Sequence, residues 1–236
     1  MRRSRVGSSC PSHAAEMLRK IRETSEKQMS QLKRYTELPF VLQLLHSRKL
    51  TLVNPSAWDD KNDSHFIQTY RDRKGLGSVL ALCLTEAQQT YHHFKVFTHG
   101  ASGACIYFHD DAFQAWVNET GLLEGRKVTY RTLPQVLKTP PKLDDLPFLK
   151  RKAYEHEGEF RLLFSTKRKS VAVQNFDIPL EMIDFIILNP WLPQSTANAI
   201  EDVIHRIEGC EKIEVKRATI VKNDDWQKAA EGAANA

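Results

Sequence analysis

Hydrophobic residues recur along this chain at two spacings, every second residue or every third to fourth, and segments of the two kinds interleave. Continuous apolar runs predict buried strands at 79–84, 104–108 and 183–188. Helical spacing, together with turn and capping residues, predicts helices at 38–49, 110–119 and 195–207. Because several strands are short and separated only by turns, the pattern predicts an α+β single domain with a mixed, mainly antiparallel sheet flanked by helices.

The two ends of the chain differ in composition from the middle. The first twelve residues are polar and rich in Arg, as is typical of an unordered tail, and 13–34 have the apolar stripe of an amphipathic helix. The last nine residues are rich in Ala and Gly, and we expect them to be unordered. We therefore predict a basic helical arm over 1–31, a globular domain over 32–218 and a C-terminal tail over 219–236.

Charged residues cluster on one face of a predicted strand at 157–164. Period-two alternation places Glu157, Glu159 and Arg161 on one face and apolar side chains on the other. Lys152 and Tyr154 lie just upstream. Two interpretations stay open. The face is either a solvated, self-neutralising ladder of charges, or a functional surface, since paired carboxylates are what acid–base and ribosyl chemistry require.

Composition excludes several classes of protein. No apolar run approaches the roughly 20 residues that cross a bilayer, and the N-terminus lacks the apolar segment of a secretory signal. The four cysteines are far apart and include no Cys-x-x-Cys pair, which favours a reducing cytoplasmic setting without disulfides or structural zinc. No glycine-rich phosphate loop of standard spacing is present, so a Rossmann or P-loop nucleotide site is not expected.

The positive charge of the chain is concentrated at its N-terminus. The net charge is +5, and residues 1–34 hold nine Lys or Arg against three Glu, which leaves 25 basic and 26 acidic residues elsewhere. A partner such as a nucleotide or nucleic acid would therefore be bound electrostatically by the basic arm. The sequence predicts no membrane partner and leaves the oligomeric state open.

An acidic loop follows the predicted strand at 50–53. Asp59, Asp60 and Asp63 could serve with the late glutamates as oxygen ligands for Mg²⁺ in a nuclease. The simpler interpretation is that Asp59 and Asp60 form a turn and cap the next helix while Trp58 anchors the loop. We favour this interpretation and expect no metal.

Four spaced motifs resemble a bacterial and phage family known only as domain-of-unknown-function family 2971. They are Lys33-Arg34-Tyr35, Pro55-Ser-Ala-Trp58-Asp59-Asp60, Gly103-Ala-Cys105-Ile106, and Lys152, Tyr154, Glu157, Glu159 and Arg161. The resemblance covers about residues 32–218. That family has no assigned activity, so the resemblance implies a fold and a set of residues but no reaction.

The order of these motifs also resembles that of ADP-ribosyltransferases, in which an early cation and an aromatic ring precede a late Glu-x-Glu strand. This resemblance implies an NAD-using enzyme of bacterial or phage conflict with Glu157 and Glu159 as catalytic residues. It further implies cofactor-binding residues, which are Arg34, Tyr35, Lys152, Tyr154 and Arg161. Asp59 and Asp60 would belong to a substrate loop, and all these side chains should meet in one cleft.

Two other functions stay open at this point. The protein could be a non-enzymatic module that binds a nucleotide or nucleic acid through its basic arm and the same polar face. It could also be the metal-dependent nuclease suggested by the acidic loop. Binding of NAD combined with release of nicotinamide would separate the ADP-ribosyltransferase hypothesis from both of these functions.

Overall fold

A computed structural model describes residues 31–169 and 171–233. The strands are β1 (Lys33–Glu37), β2 (Lys49–Val53), β3 (Ser78–Thr85), β4 (Gly103–Phe108), β5 (Leu123–Lys127), β6 (Thr129–Arg131), β7 (Leu149–Arg151), β8 (Glu159–Thr166), β9 (Val173–Asp177), β10 (Ile183–Leu188) and β11 (Glu214–Arg217). The helices are α1 (Leu38–Ser47), α2 (Lys61–Arg73), α3 (Tyr91–Phe97), α4 (Asp110–Thr120), α5 (Leu133–Lys138), α6 (Gln194–His205) and α7 (Asp224–Ala233).

Nine of these strands form one sheet, which is antiparallel except for the β10–β11 pair. The order β11-β10-β4-β1-β3-β2-β9 runs across it, while β8 pairs with β3 over eight residues and β5 pairs with β8. Strands β6 and β7 form a separate parallel pair. The predicted α+β domain with a mixed, mainly antiparallel sheet is confirmed. Within the described ranges, no helix is both long and apolar enough to cross a membrane.

The two faces of the sheet have different roles. Alternate residues of β3, such as Leu80, Leu82 and Leu84, pack into the large core that includes α1 and α4. The intervening residues Val79 and Ala81 pack against α2 in a smaller cluster. Beyond Ala81 on this second face, Cys83 and Thr85 of β3 lie beside Arg161 and Glu159 of β8, and Thr85 lies beside Lys33 of β1, so this stretch is polar. This polar stretch borders a cavity.

The structure corrects the predicted strand at 157–164. Residues Lys152–Glu157 form a 3₁₀ helix that ends at Gly158, and β8 begins only at Glu159. Gly158 has a φ of +51°, a left-handed conformation that an L-residue rarely adopts, so the chain turns sharply between the two glutamates. Alternation along β8 does place Glu159 and Arg161 on one face, but Glu157 reaches the same place from a turn.

Three other segments add to or correct the sequence pattern. Thr85 and Gln88 have the spacing of a capping box, but Thr90 and His93 form the capping box and α3 begins at Tyr91. The Pro-rich connection at 133–147 holds α5 and most of a 3₁₀ helix at Leu143–Phe148. The prediction that the last nine residues are unordered is wrong as far as Ala233, because α7 occupies Asp224–Ala233. The predicted basic arm over 1–31 lies outside the described residues except for Gln31.

Candidate active site

A cavity of about 520 Å³ opens beside the polar stretch of the sheet. Strands β1 and β3 form its floor, the loop before α2 forms one wall, and the segment from β7 to β8 forms another. Its lining residues are Lys33, Tyr35, Trp58, Asp59, Asp60, Asp63, Cys83, Leu84, Thr85, Val96, Phe97, Lys150, Tyr154, Glu157 and Glu159. The volume falls in the range of small-molecule sites, which is about 300–1,000 Å³.

Arg161 lies beneath the cavity and holds two carboxylates in fixed positions. Its guanidinium donates two hydrogen bonds to Asp63, Nη1 to Oδ1 at 2.9 Å and Nη2 to Oδ2 at 2.7 Å, and its Nε donates to Glu159 Oε1 at 2.8 Å. Nη1 also donates to the Pro147 carbonyl at 2.6 Å, and the Trp58 ring lies 4.9 Å from the guanidinium carbon. Arg161 is completely buried, so its bidentate contact with Asp63 ties α2 to β8.

Lys150 on β7 joins the same carboxylates from above. Its Nζ lies 2.6 Å from Glu157 Oε2, 3.3 Å from Glu159 Oε2 and 3.9 Å from Asp63 Oδ2. Burial alone would lower the pKa of Lys150, but the attraction of the glutamates outweighs it, so the pKa is raised. Lys150 therefore stays charged, and the site holds two cations among three carboxylates.

The environments of the two glutamates push their pKa values in opposite directions. Burial raises the pKa of Glu157, and Lys150 only partly offsets this effect. Burial would also raise the pKa of Glu159, but the charges and hydrogen bonds of Arg161, with Lys150, outweigh it and the pKa is lowered. Two neighbouring carboxylates with separated pKa values are the arrangement from which enzymes assign one permanent anion and one proton acceptor.

The turn between the glutamates is fixed by backbone contacts to β3 and β6. Thr85 donates its hydroxyl to the Glu157 carbonyl and accepts the Ala87 amide at 2.9 Å. The Glu159 amide donates to the Tyr130 hydroxyl at 2.8 Å. A Cβ at Gly158 would lie 3.0 Å from the Ala87 backbone nitrogen, so a side chain would be crowded as well as strained. This corner sets the orientation of both carboxylates.

Aromatic rings line the walls of the cavity. The Tyr154 ring lies 4.8 Å from Lys150 Nζ, and Trp58 covers Arg161 on the opposite wall. Tyr35 on β1 packs in a tilted geometry against Phe97 of α3, with ring centroids 5.9 Å apart. Burial raises the pKa of Tyr35, so its hydroxyl remains protonated. These rings offer flat apolar surfaces beside a charged floor.

Lys33 is a buried cation on the floor of the cavity. It is 1% exposed, and its Nζ donates to the Gln31 carbonyl at 2.7 Å and, at 3.4 Å, to the Glu86 carbonyl. Among the described residues, no carboxylate lies within ion-pair distance of this ammonium. Burial lowers its pKa, and more distant charges oppose this effect only in part. An anionic ligand in the cavity would supply the missing counter-charge.

The acidic loop has the structural role that the sequence favoured. Asp60 caps α2, because its Oδ1 accepts the amides of Asn62 and Asp63. Its Oδ2 is buried beside the cavity without a partner among the described residues. Asp59 is exposed at the cavity wall, and Trp58 packs against the smaller core cluster. The capping interpretation is therefore confirmed for Asp60.

The cavity brings together most of the predicted site residues. Six of them line it, which are Tyr35, Asp59, Asp60, Tyr154, Glu157 and Glu159, and Arg161 lies directly below. Arg34 and Lys152 do not. Arg34 pairs with Ile106 of β4 on the opposite face of β1 from Lys33 and Tyr35. Lys152 is exposed and pairs with Glu155. Cofactor binding by these two stays a prediction without support from the cavity.

Sequence reasoning missed three central residues, Lys33, Asp63 and Lys150, as members of one site. Lys33 stands next to Arg34, and strand alternation was the available signal for choosing between them. Asp63 had been considered only as a metal ligand. Lys150 follows a Pro-rich segment whose path the sequence does not specify, so nothing placed it beside Glu157.

The geometry does not favour a metal site. The acidic loop does reach Glu157 and Glu159, as a nuclease would require, but Asp63, Glu157 and Glu159 already pair with Arg161 and Lys150. Across 31–169 and 171–233, no group of three or more His, Cys, Asp or Glu residues is arranged to hold a metal ion. Carboxylates neutralised by two cations are poor ligands for Mg²⁺.

Comparisons with known proteins find matches among solved structures only, and two of these matches are structures of one protein. No protein-family model and no curated protein matches the chain, so the expected membership of family 2971 is not supported. One structure, Thermus sp. 2.9 DarT in complex with ADP-ribosylated ssDNA, is 13% identical, with a TM-score of 0.42 over 84% of this chain and 96% of that chain. The other, the same protein in complex with NAD+, is 12% identical, with a TM-score of 0.42 over 82% and 98%.

Proposed function

We propose that this protein is an NAD-using ADP-ribosyltransferase. The observation that supports the proposal is the Glu157–Glu159 pair, which faces a small-molecule cavity and is held by Lys150 and Arg161 with opposite pKa shifts. A permanent carboxylate next to a proton acceptor matches the two tasks of ribosyl transfer. One task is to stabilise positive charge at the sugar, and the other is to activate the acceptor.

The reaction breaks one bond and forms another. The bond between nicotinamide N1 and ribose C1′ breaks, its electron pair leaves with nicotinamide, and C1′ gains oxocarbenium character. The ionised and buried Glu159 stabilises that charge, because a fixed anion is most effective where bulk water is excluded from it. The acceptor then forms a bond to C1′, and its proton passes to Glu157. A carboxylate whose pKa is raised accepts that proton more readily than an ordinary glutamate.

The remaining cavity residues suit a dinucleotide. Trp58, Tyr154 and Phe97 offer faces for a nicotinamide or adenine ring. The ammonium of Lys33, which contacts carbonyl groups but no carboxylate in the described part of the chain, suits the diphosphate. Lys33 therefore replaces Arg34 as the early cation that the motif order implied, because strand alternation turns Lys33 toward the cavity.

We propose nucleic acid as the acceptor class. Residues 1–30 contain seven Lys or Arg against three Glu, which favours contact with phosphates. Next to the cavity wall, the exposed Tyr91 and the half-buried Trp191 lie with ring centroids 5.4 Å apart, and Lys95 Nζ lies 4.2 Å from the Trp191 ring. Aromatic rings beside a cation are the usual contacts of single-stranded nucleic acid. A role in bacterial or phage conflict stays a prediction.

Calorimetric titration with NAD, combined with an assay for released nicotinamide, tests the proposal. The wild-type protein should bind NAD and release nicotinamide, and Glu159→Gln should lower the release by about 10²–10³-fold. Glu155→Gln is the matched control, because Glu155 is exposed and outside the cavity. Binding without release would instead identify a non-enzymatic module. Release that needs a divalent metal, or that survives in Glu159→Gln, would contradict the proposed mechanism.

A further inference from the structure

A second cavity of about 300 Å³ lies on the other side of the loop that walls the first. Helix α2 forms one side, residues 54–56 form another, and the side chains of Ile67 and Val79 lie at its apolar base. The polar residues that line it are Asn54, Ser56, Lys61, Ser64, His65, Gln68 and Arg71. It contains no residue of the proposed NAD site.

The polar lining of this cavity comes mainly from one stripe of α2. Residues 61, 64, 65, 68 and 71 follow the spacing of one helical face. Asp63 points away from that face and into the first cavity, where Arg161 holds it. The same helix therefore contributes a carboxylate to one cavity and only basic or neutral groups to the other.

Lys61 and Arg71 are the Lys and Arg residues that line the second cavity, and none of its lining residues is Asp or Glu. Lys61 Nζ donates to the Trp58 carbonyl at 2.7 Å, and among the described residues it has no carboxylate within ion-pair distance. Arg71 donates through Nε and Nη2 to Asp72 Oδ1, which leaves Nη1 for another acceptor. Ser56, Ser64 and Gln68 add neutral hydrogen-bonding groups around these cations.

We propose that the second cavity binds a phosphate group. An ammonium, a guanidinium edge and several hydroxyl and amide donors around a small concave space match the charge and the many acceptor oxygens of phosphate. The apolar base formed by Ile67 and Val79 leaves room for the group that bears the phosphate. That group is either a small phosphorylated molecule or the backbone of a nucleic acid.

Titration of the full-length protein with inorganic phosphate, followed by backbone amide NMR shifts, tests this assignment. Shifts should appear at Ser64, His65 and Gln68. Lys61→Met and Arg71→Gln should each weaken binding about tenfold, since a hydrogen bond to a charged group is lost. Lys138→Met is the matched control, because this exposed lysine on α5 lies outside both cavities. It should bind phosphate as the wild type does.

Two further probes identify the source of the phosphate. Tighter binding of a single-stranded oligonucleotide than of a nucleoside monophosphate, lost in Lys61→Met, would assign a nucleic-acid backbone. The reverse order with the same loss would assign a small phosphorylated ligand. Shifts confined to the first cavity, or unchanged binding in both Lys61→Met and Arg71→Gln, would overturn the proposal. Glu159→Gln should bind phosphate normally, so failure of the NAD proposal would not affect this result.

Discussion

The two cavities on either side of α2 use charge in opposite ways. In the first, Asp63, Glu157, Glu159 and Arg161 are buried, and these four residues and the partly buried Lys150 pair with one another. In the second, Lys61 is exposed and has no acidic partner within the described ranges, while Arg71 is half-buried and pairs with Asp72. A buried paired cluster fixes geometry and separates pKa values, as catalysis requires, whereas an exposed unpaired cation supplies affinity for a mobile anion.

The largest effect should come from breaking the buried cluster. Arg161→Met removes the only cation that contacts both Asp63 and Glu159 within hydrogen-bond distance, in the part of the chain described. The carboxylates of Asp63 and Glu159 then stay buried without that cation, so the free energy of unfolding should fall by about 3–5 kcal/mol. Denaturant unfolding measures this loss.

The exposed arginine at the end of the same helix is the control. Arg73→Met should change the free energy of unfolding by less than about 0.5 kcal/mol. Adding Asp63→Asn to Arg161→Met should recover part of the loss, because one buried charge is removed with its partner. Equal effects of Arg161→Met and Arg73→Met would contradict the structural role of the cluster.

The next effect concerns Lys33, a buried cation of the first cavity that lies apart from the cluster. Lys33→Met should weaken NAD binding about tenfold, since a charge-assisted contact with phosphate is lost. The protein should remain as stable as the wild type or become more stable, because an ammonium without a carboxylate partner no longer has to be buried. Calorimetric titration and thermal unfolding measure the two quantities.

Arg34→Met, at the adjacent residue, is the control for Lys33→Met. Arg34 lies on the other face of β1, and burial lowers its pKa to about 10. Its replacement should leave NAD affinity near the wild-type value. If Arg34→Met weakens NAD binding and Lys33→Met does not, the assignment of the early cation must be reversed.

Lys33 and Arg34 also show which features of the fold and the site can be predicted from the sequence. The mainly antiparallel sheet and the strands rich in Val, Leu and Ile were predictable, because burial on a pleated sheet imposes a two-residue period. The same period places Lys33 and Arg34 on opposite faces of β1, but it does not say which face borders the cavity. Glu159 and Asp63 come together because both contact Arg161, and Arg161 and Asp63 are 98 residues apart along the chain, a pairing that no local pattern specifies.

The turn at Gly158 gives the complementary lesson. The sequence predicted that Glu157 and Glu159 share a face, and both do line one cavity. The reason was wrong, since Glu157 belongs to a 3₁₀ helix rather than to β8. Lys150 could not be foreseen at all, because its position depends on the parallel pairing of β6 and β7 after a Pro-rich segment.

The opposite pKa shifts of the two glutamates predict a pH dependence of the activity. Ionised Glu157 is the proton acceptor, and burial raises its pKa, so transfer should increase with pH through a midpoint above the ordinary glutamate value. In Glu157→Gln this acidic limb should disappear and the remaining rate should be nearly flat with pH. The pH profile of kcat/KM, with the acceptor kept the same throughout, measures this dependence. An unchanged acidic limb in Glu157→Gln would mean that a group other than Glu157 titrates there.

Stability should respond to the same two groups with opposite signs. Because the pKa of Glu159 is lowered by folding, its contribution is present above the unfolded pKa and is lost as the pH falls through the folded value. The raised pKa of Glu157 means that its ionisation costs stability as the pH rises through its folded value. Glu159→Gln should therefore reduce the loss of stability in acid, and Glu157→Gln should reduce the loss toward neutral pH.

The smallest effect on stability should come from deleting N-terminal residues, which are basic, as are Lys61 and Arg71 in the second cavity. Deleting residues 1–12 removes Arg2, Arg3 and Arg5, and we expect little change in Tm because so polar a segment buries little apolar surface. Affinity for nucleic acid should fall, and the slope of log affinity against log salt should become shallower by about 0.9 per lost phosphate contact on duplex DNA. Lys61→Met in the truncated protein should reduce the slope further if the second cavity holds the same strand. An unchanged slope after truncation would leave the described domain as the nucleic-acid contact.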